Sequence, residues 1–197
     1  MNSVFFAMVV FAFVGSVTPG PVNLLATSTA INRGVEDALK HVAGASIAYA
    51  FVVFVSGSVM QSIVILLPQL EVMMKLSGSV FLVYLAVKIY TAPTDNMKIE
   101  SPSLMIWWSG ALTQILNPKA WLVAMSGVSL YVIGQDNAQL SLFLFTSVSL
   151  FACFIGVGIW AVIGRVLAKK LENPTKQRQF NRVMAVLLAV SVAMIWL

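Results

Sequence analysis

"GSVTPGPVNLL", residues 15–25, holds a single glycine between Pro19 and Pro21 inside a long apolar run. Proline lacks a backbone N–H and crowds the preceding turn, so a chain that otherwise reads as helix must interrupt itself here. What the interruption means depends on the surrounding solvent, which composition identifies. Hydrophobic residues make up 59% of the 197 and charged residues only 10%, with a mean hydropathy of +0.92. A soluble domain is nearer half apolar and about a quarter charged. The apolar residues come in long blocks, most exceeding the roughly 20 residues of a membrane-spanning helix. The chain is therefore read as an all-α polytopic membrane protein, one domain over residues 1–197.

Six apolar segments are predicted, at roughly 4–31, 42–67, 70–90, 105–133, 139–167 and 180–197. "NRGVEDALK", "PQ", "TAPTDNMKIESPS", "GQDNAQ" and "KKLENPTKQRQFN" separate them. The opening "MNSVFFAMVVFAFVGSV" has no Lys or Arg before its apolar core, and apolar character resumes after the prolines. It is read as a retained first helix rather than a signal peptide. Arg33 and Lys40 fall in the first connection, Lys88 and Lys98 in the third, and Arg165, Lys169, Lys170, Lys176, Arg178 and Arg182 in the fifth. The second has only Lys75, and the fourth has none. Odd connections should then be cytoplasmic and both termini external. Six helices make two three-helix halves, residues 1–95 and 100–197, running in opposite directions across the membrane. A second interruption, "LNPKAWL" at 116–122, puts Pro118 99 residues after Pro19, in the corresponding helix of the second half. The predicted architecture is two inverted three-helix repeats, with the first and fourth helices broken at prolines.

Pro19 and Pro21 leave the carbonyls of Gly15 and Val17 without their helical partners, and Pro118 does the same to Gln114. Gly20 permits backbone conformations closed to other residues. In hydrocarbon an unsatisfied carbonyl costs several kcal/mol, so such a break survives only against protein or a water-filled cavity. The helix restarting after Pro21 should present free amides near Val22 to Leu24 with a partial positive charge, suited to a carboxylate. A lone proline kink would merely shape packing. Two prolines about a glycine, flanked by Thr18 and Asn23 and mirrored by Asn117-Pro118-Lys119, favour a cavity-lining site. Lys119 lies among apolar residues, where a lysine costs roughly 2.5–3.5 kcal/mol at a helix centre. It faces the cavity, or it snorkels to headgroups.

Other residues carry less. His41, just after Glu36 and Asp37, is read as a solvated loop end. Gly44 and Ala48 share a helix face suited to close packing, and Gly156, Gly158 and Gly164 read likewise. Tyr49 is either cavity-lining or interfacial. Trp107, Trp108, Trp121 and Trp160 read as interface anchors or lipid-facing bulk. Cys153 is the only cysteine, which excludes an intrachain disulfide and a thiol-shuttling pair. No predicted helix core contains Asp or Glu, the one histidine cannot form a His-Glu-x-x-His site, and no Gly-rich phosphate loop occurs. An enzyme is therefore disfavoured, and no cofactor or metal is expected. The net charge of +5 comes without a nucleic-acid motif.

"TPGPVNLLATSTAINRG" (18–34), "KLSGSVFLVYLAVKIY" (75–90) and "ALTQILNPKAWL" (111–122) resemble, in chain order, the motifs of the LysE/RhtB family of bacterial amino-acid exporters. The "TPGP…NLLA" opening and "AVKIYTAPT" look most like its cysteine and O-acetylserine exporter branch. The resemblance implies a multi-pass inner-membrane protein exporting amino acids or small derivatives on the proton motive force. Thr18, Pro19, Gly20 and Pro21 match the first family motif, and Asn117, Pro118 and Lys119 the second. Two departures stand out. Many relatives place Asn directly after the second proline, where this chain has Val22 and then Asn23, a rotation of about 100°. Many also carry an Asp near the Gly44 position, where "GASIAYA" has no acid.

The expected function is alternating-access efflux of a small neutral amino acid. Amides after Pro21 would hold its carboxylate. The carbonyls of Gly15, Val17 and Gln114 would receive its ammonium. Side chains of Thr18, Asn23, Gln114 and Asn117 would add contacts, and Lys119 would tune the charge. Membrane lipid is the surrounding partner, a homo-oligomer is left open, and a passive channel or a non-transporting scaffold are the alternatives.

Overall fold

The computed structural model describes residues 2–92, 103–170 and 173–196. Among these the regular structure is entirely helical. The helices are α1 (Asn2–Val17), α2 (Pro21–Arg33), α3 (Val35–Ser58), α4 (Met60–Tyr90), α5 (Ser103–Ile115), α6 (Pro118–Tyr131), α7 (Ala138–Ala168) and α8 (Pro174–Trp196). The central linker with Lys98 lies outside the described residues.

Both interruptions fall at the prolines. α1 stops at Val17 and α2 restarts on Pro21 after a 60° bend, while α5 stops at Ile115 and α6 restarts on Pro118. Proline suits a first helical position, where its missing N–H has no intrahelical duty and its φ is already helical. α3 and α7 are each long and apolar enough to cross a membrane, and the bent α1–α2 pair passes the same test as one broken span.

Three expected boundaries are corrected. α3 begins at Val35, not near residue 42, because Gly34 turns the chain in one residue at φ +96°. Its first turns then carry ion pairs of Asp37 with Arg33 at 3.2 Å and of Glu36 with Lys40 at 3.0 Å. Glu36 and Asp37 also suit the positive end of the α3 dipole. Pro68 lies inside α4, and the chain breaks instead at Val59, whose backbone is non-helical (φ −127°, ψ 24°). Membrane helices tolerate an internal proline where neighbours re-satisfy the freed backbone. α8 begins at Pro174, again as a first-position proline, so the polar run 174–182 is helical.

Small residues face inward and large ones outward. Ala12, Ala26, Ala45, Val52, Ala124, Val157 and Ala161 are buried in the main core, whereas Ile47, Phe51, Phe54, Phe143, Phe151 and Ile155 are exposed. That arrangement suits hydrocarbon, where helices associate through close backbone approach rather than by hiding apolar bulk. α3 packs against α2, α5, α6 and α7, α7 also meets α1 and α2, and α4 pairs with α8. A side chain at Gly44 would strike the Trp107 backbone, and one at Gly110 the His41 carbonyl, so α3 and α5 touch backbone to backbone. Gly156 admits Ser16, and Gly164 admits Thr27. Gly158 has nothing within 4 Å, so its expected packing role is corrected.

Candidate functional site

The two breaks meet. Lys119 Nζ, one residue into α6, donates to the carbonyls of Thr18 at 3.0 Å and Pro19 at 3.4 Å, across about a hundred residues of sequence. Gly20 packs beside it, where a Cβ would lie 3.6 Å from Nζ, an ordinary contact distance. Pro21 and Pro118 are both buried, and Pro19 is exposed. Lys119 therefore turns toward the other break. Its ammonium sits at the carbonyl end of α1, where the helix dipole favours a cation.

Gly15, Thr18, Gly20, Asn23, Gln114, Asn117 and Lys119 line one cavity of about 30 Å³, together with Ser16, Val22, Tyr49, Ala120, Val123, Cys153 and Val157. Val17, Pro19, Pro21 and Pro118 are not among its lining residues. Gly15 also presses on Val123, whose Cγ1 would stand 2.9 Å from a Cβ there. The same two residues line an apolar groove of about 580 Å³ between α1 and α6, so they form the partition between the two spaces.

Freed backbone groups find partners that sequence did not foretell. Asn23, 1% exposed, donates its amide to the carbonyls of Ser16 at 3.1 Å, Thr18 at 2.9 Å and Val17 at 3.4 Å. Because that nitrogen serves three acceptors, Asn23 Oδ1 is the free end. It is buried and has no hydrogen-bond partner among the described residues. The Val17 carbonyl also accepts Trp160 Nε1 at 3.0 Å, so it is not free for a ligand. The Gln114 carbonyl accepts the Asn117 N–H at 3.2 Å. Asn23 and Leu24 donate their N–H groups to Gly20 O, each at 3.0 Å, which leaves Val22 as the amide of the restarting turn. Of the three amides expected to be free, those of Asn23 and Leu24 are therefore engaged.

The second break is closed differently. Asn117 caps α6, its side chain accepting the Lys119 N–H at 3.1 Å. Its amide reaches Gln114 Oε1 at 3.4 Å, and Gln114 Nε2 points to Cys153 Sγ at 3.7 Å. Trp121 Nε1 donates to Ile115 O at 2.8 Å. Each break thus has an indole on the last carbonyls before it, so Trp121 and Trp160 brace the breaks instead of serving only as lipid-facing bulk. Thr18 turns its hydroxyl back onto Val14 O.

His41 is buried at 1% exposure, with Nε2 3.3 Å from Val22 O, so the solvated reading is corrected. The carbonyl can only accept, which puts the proton on Nε2. Earlier nucleation of α3 is the cause: His41 lies two turns into the helix, facing α2. Tyr49 is 4% exposed and cavity-lining, which resolves the alternative left open by the sequence. Ser16 and Cys153 were not expected in the lining. Their apolar surroundings gave no signal beyond Ser16 standing next to the break.

Chemically, the cavity has a cation on one wall, an unpartnered acceptor oxygen on another, and no carboxylate among its lining residues. Lys119 has no acidic partner among the described residues. Such a site is complementary to a small solute bearing an anion and a hydrogen-bond donor.

Comparison with known proteins places the chain among translocators. The family described as LysE type translocator matches residues 13–195. Proteins named "Cysteine/O-acetylserine efflux protein" from Escherichia coli strain K12 and from Shigella flexneri serotype 5b are each 29% identical over 181 residues, covering 90% of both chains. The protein of that name from Shigella sonnei is equally similar, at 29% over 181 residues. No solved structure matches. The chain belongs to the LysE type translocator family, whose members are transporters rather than enzymes, and it is a multi-pass membrane protein.

Proposed function

We propose that this translocator exports small neutral amino acids or their derivatives, of the cysteine and O-acetylserine class, across the bacterial inner membrane. The observation that carries the reading is the bridge from Lys119 to the Thr18 and Pro19 carbonyls. It builds a polar site from two broken helices inside an apolar protein. The relatives named for cysteine and O-acetylserine efflux supply the substrate class.

The cavity of about 30 Å³ has room for about two water molecules, so no amino acid occupies this closed form. Parting of the two halves opens it, first to one side and then to the other. Helix packing supports two equivalent halves, 1–95 and 100–197. Exchanging α1, α2, α3 and α4 with α5, α6, α7 and α8 turns the α3–α5 contact into α7–α1, α2–α7 into α6–α3, and α2–α8 into α6–α4, all of which occur. α3 and α7 run antiparallel: Gly57 meets Leu142, while Tyr49 and Cys153 share the cavity. That is the relation inversion demands. Six spans, external termini and drive by the proton motive force complete the reading. In it the Val22 N–H and Lys119 attract the substrate carboxylate, Gln114 and Asn117 hold the second break, and Gly15 gives the wall that must part from Val123.

The test is counterflow in liposomes containing purified protein. Unlabelled O-acetylserine or cysteine inside should accelerate uptake of the labelled compound, and Lys119→Ala or Pro21→Ala should cut that rate at least about tenfold with assembly intact. Flux without trans-acceleration would identify a pore, and wild-type rates in both variants would reject the site.

A further inference from the structure

We propose that Lys119 is a resident stand-in for the substrate's own ammonium group: it fills the cation subsite made by the Thr18 and Pro19 carbonyls until a zwitterion displaces it and takes it as carboxylate partner. The inference rests on the exporter reading and says how that site recognises an amino acid. Backbone carbonyls at a helix C-terminus are cation ligands by charge and geometry. The group now on them, at 3.0 and 3.4 Å, is a primary ammonium, chemically the same group that every amino acid carries. Asn23, which lines the same cavity, holds this subsite in shape through its amide contact to Thr18 O. An incoming ammonium, itself a three-proton donor, can take the two carbonyls in the same way. Lys119 on its flexible stem then swings free. Since no lining residue is a carboxylate, the substrate's own carboxylate is the anion that receives it.

Two consequences follow. A solute that is only an amine displaces one cation by another and leaves Lys119 without an anion, so it is rejected. A zwitterion brings the compensating charge and is accepted. The empty site stays electrostatically satisfied, which favours exchange of one amino acid for another over leakage of small cations.

The experiment compares O-acetylserine with O-acetylethanolamine, its analogue lacking the carboxylate, as ligands in thermal-shift titrations of wild-type protein and Lys119→Met. Wild type should respond to O-acetylserine and ignore the amine. In Lys119→Met the vacated carbonyls should bind O-acetylethanolamine, and methylammonium as well, at least about tenfold more tightly than in wild type, while affinity for O-acetylserine falls by a similar factor. Lys119→Gln serves the same comparison where the methionine variant does not assemble. Wild type binding the amine as well as the zwitterion would overturn the inference without any variant. Variants that gain no affinity for amines would overturn it too, even with O-acetylserine still transported. Failure of wild type to bind or exchange any amino acid would instead remove the exporter reading beneath it.

Discussion

Replacing Asn23 by alanine strips three carbonyls, those of Ser16, Val17 and Thr18, of the amide that serves them. A buried acceptor left unpaired costs about 1–3 kcal/mol; Trp160 still covers Val17 and Lys119 still covers Thr18, so the loss falls chiefly on Ser16. Asn23→Ala should therefore lower unfolding stability in detergent by about 1–3 kcal/mol. Asn23→Asp, nearly isosteric but with only acceptors, should be at least as damaging. An aspartate variant as stable as wild type would show that the amide does not hold the break. The sequence located this residue at the cavity, and the structure adds its hold on the break. Counted from Pro21, Asn23 is the third helical position, from which a side chain can reach back over the helix start, as in a capping box. The displacement from the family's usual position thus aims it at the break. His41 was misread because one residue, Gly34, does the work expected of a loop.

At the scale of elements, the prolines at 19, 21 and 118 were legible because no membrane helix can pass them unchanged, whereas Pro68 was overread. What joins the helices was not legible. Asn32 on α2 and Asn181 on α8 exchange amide hydrogen bonds, both 2.9 Å, across 149 residues, and Gln177 adds a contact to Asn32 at 3.3 Å. Neither asparagine has periodicity or spacing that announces a partner. Polar pairs of this kind between membrane helices are worth about 0.6 kcal/mol on average and reach about 1.7. This pair is reciprocal, and Asn181 is 1% exposed, so the upper end is expected. Asn32→Leu and Asn181→Leu should each destabilise the protein in denaturant titrations in detergent. The double variant should recover about 1–1.7 kcal/mol of their summed losses. Strict additivity would mean that the pair does not couple α2 to α8.

At the scale of the whole molecule, charge asymmetry between the connections proposes an orientation that helix packing alone leaves unsigned. The α6–α7 turn and the α7–α8 connection lie at opposite ends of α7, whose 31 residues are long and apolar enough to cross a membrane. On the positive-inside rule, the proposed orientation puts Arg165, Lys169 and Lys170 in the cytoplasm and the turn at Asp136, which has no basic neighbour, outside. The single native cysteine, Cys153, is 1% exposed, so reporter cysteines can be read against a silent background. Asp136→Cys should react with a membrane-impermeant maleimide on intact cells, and Lys170→Cys only after permeabilisation. Both positions are exposed, so accessibility within the fold does not confuse the readout. The reverse pattern would leave the two-break cavity in place but turn the carrier around. Labelling of both from outside would break the span itself, and with it the proposed inversion of the two halves.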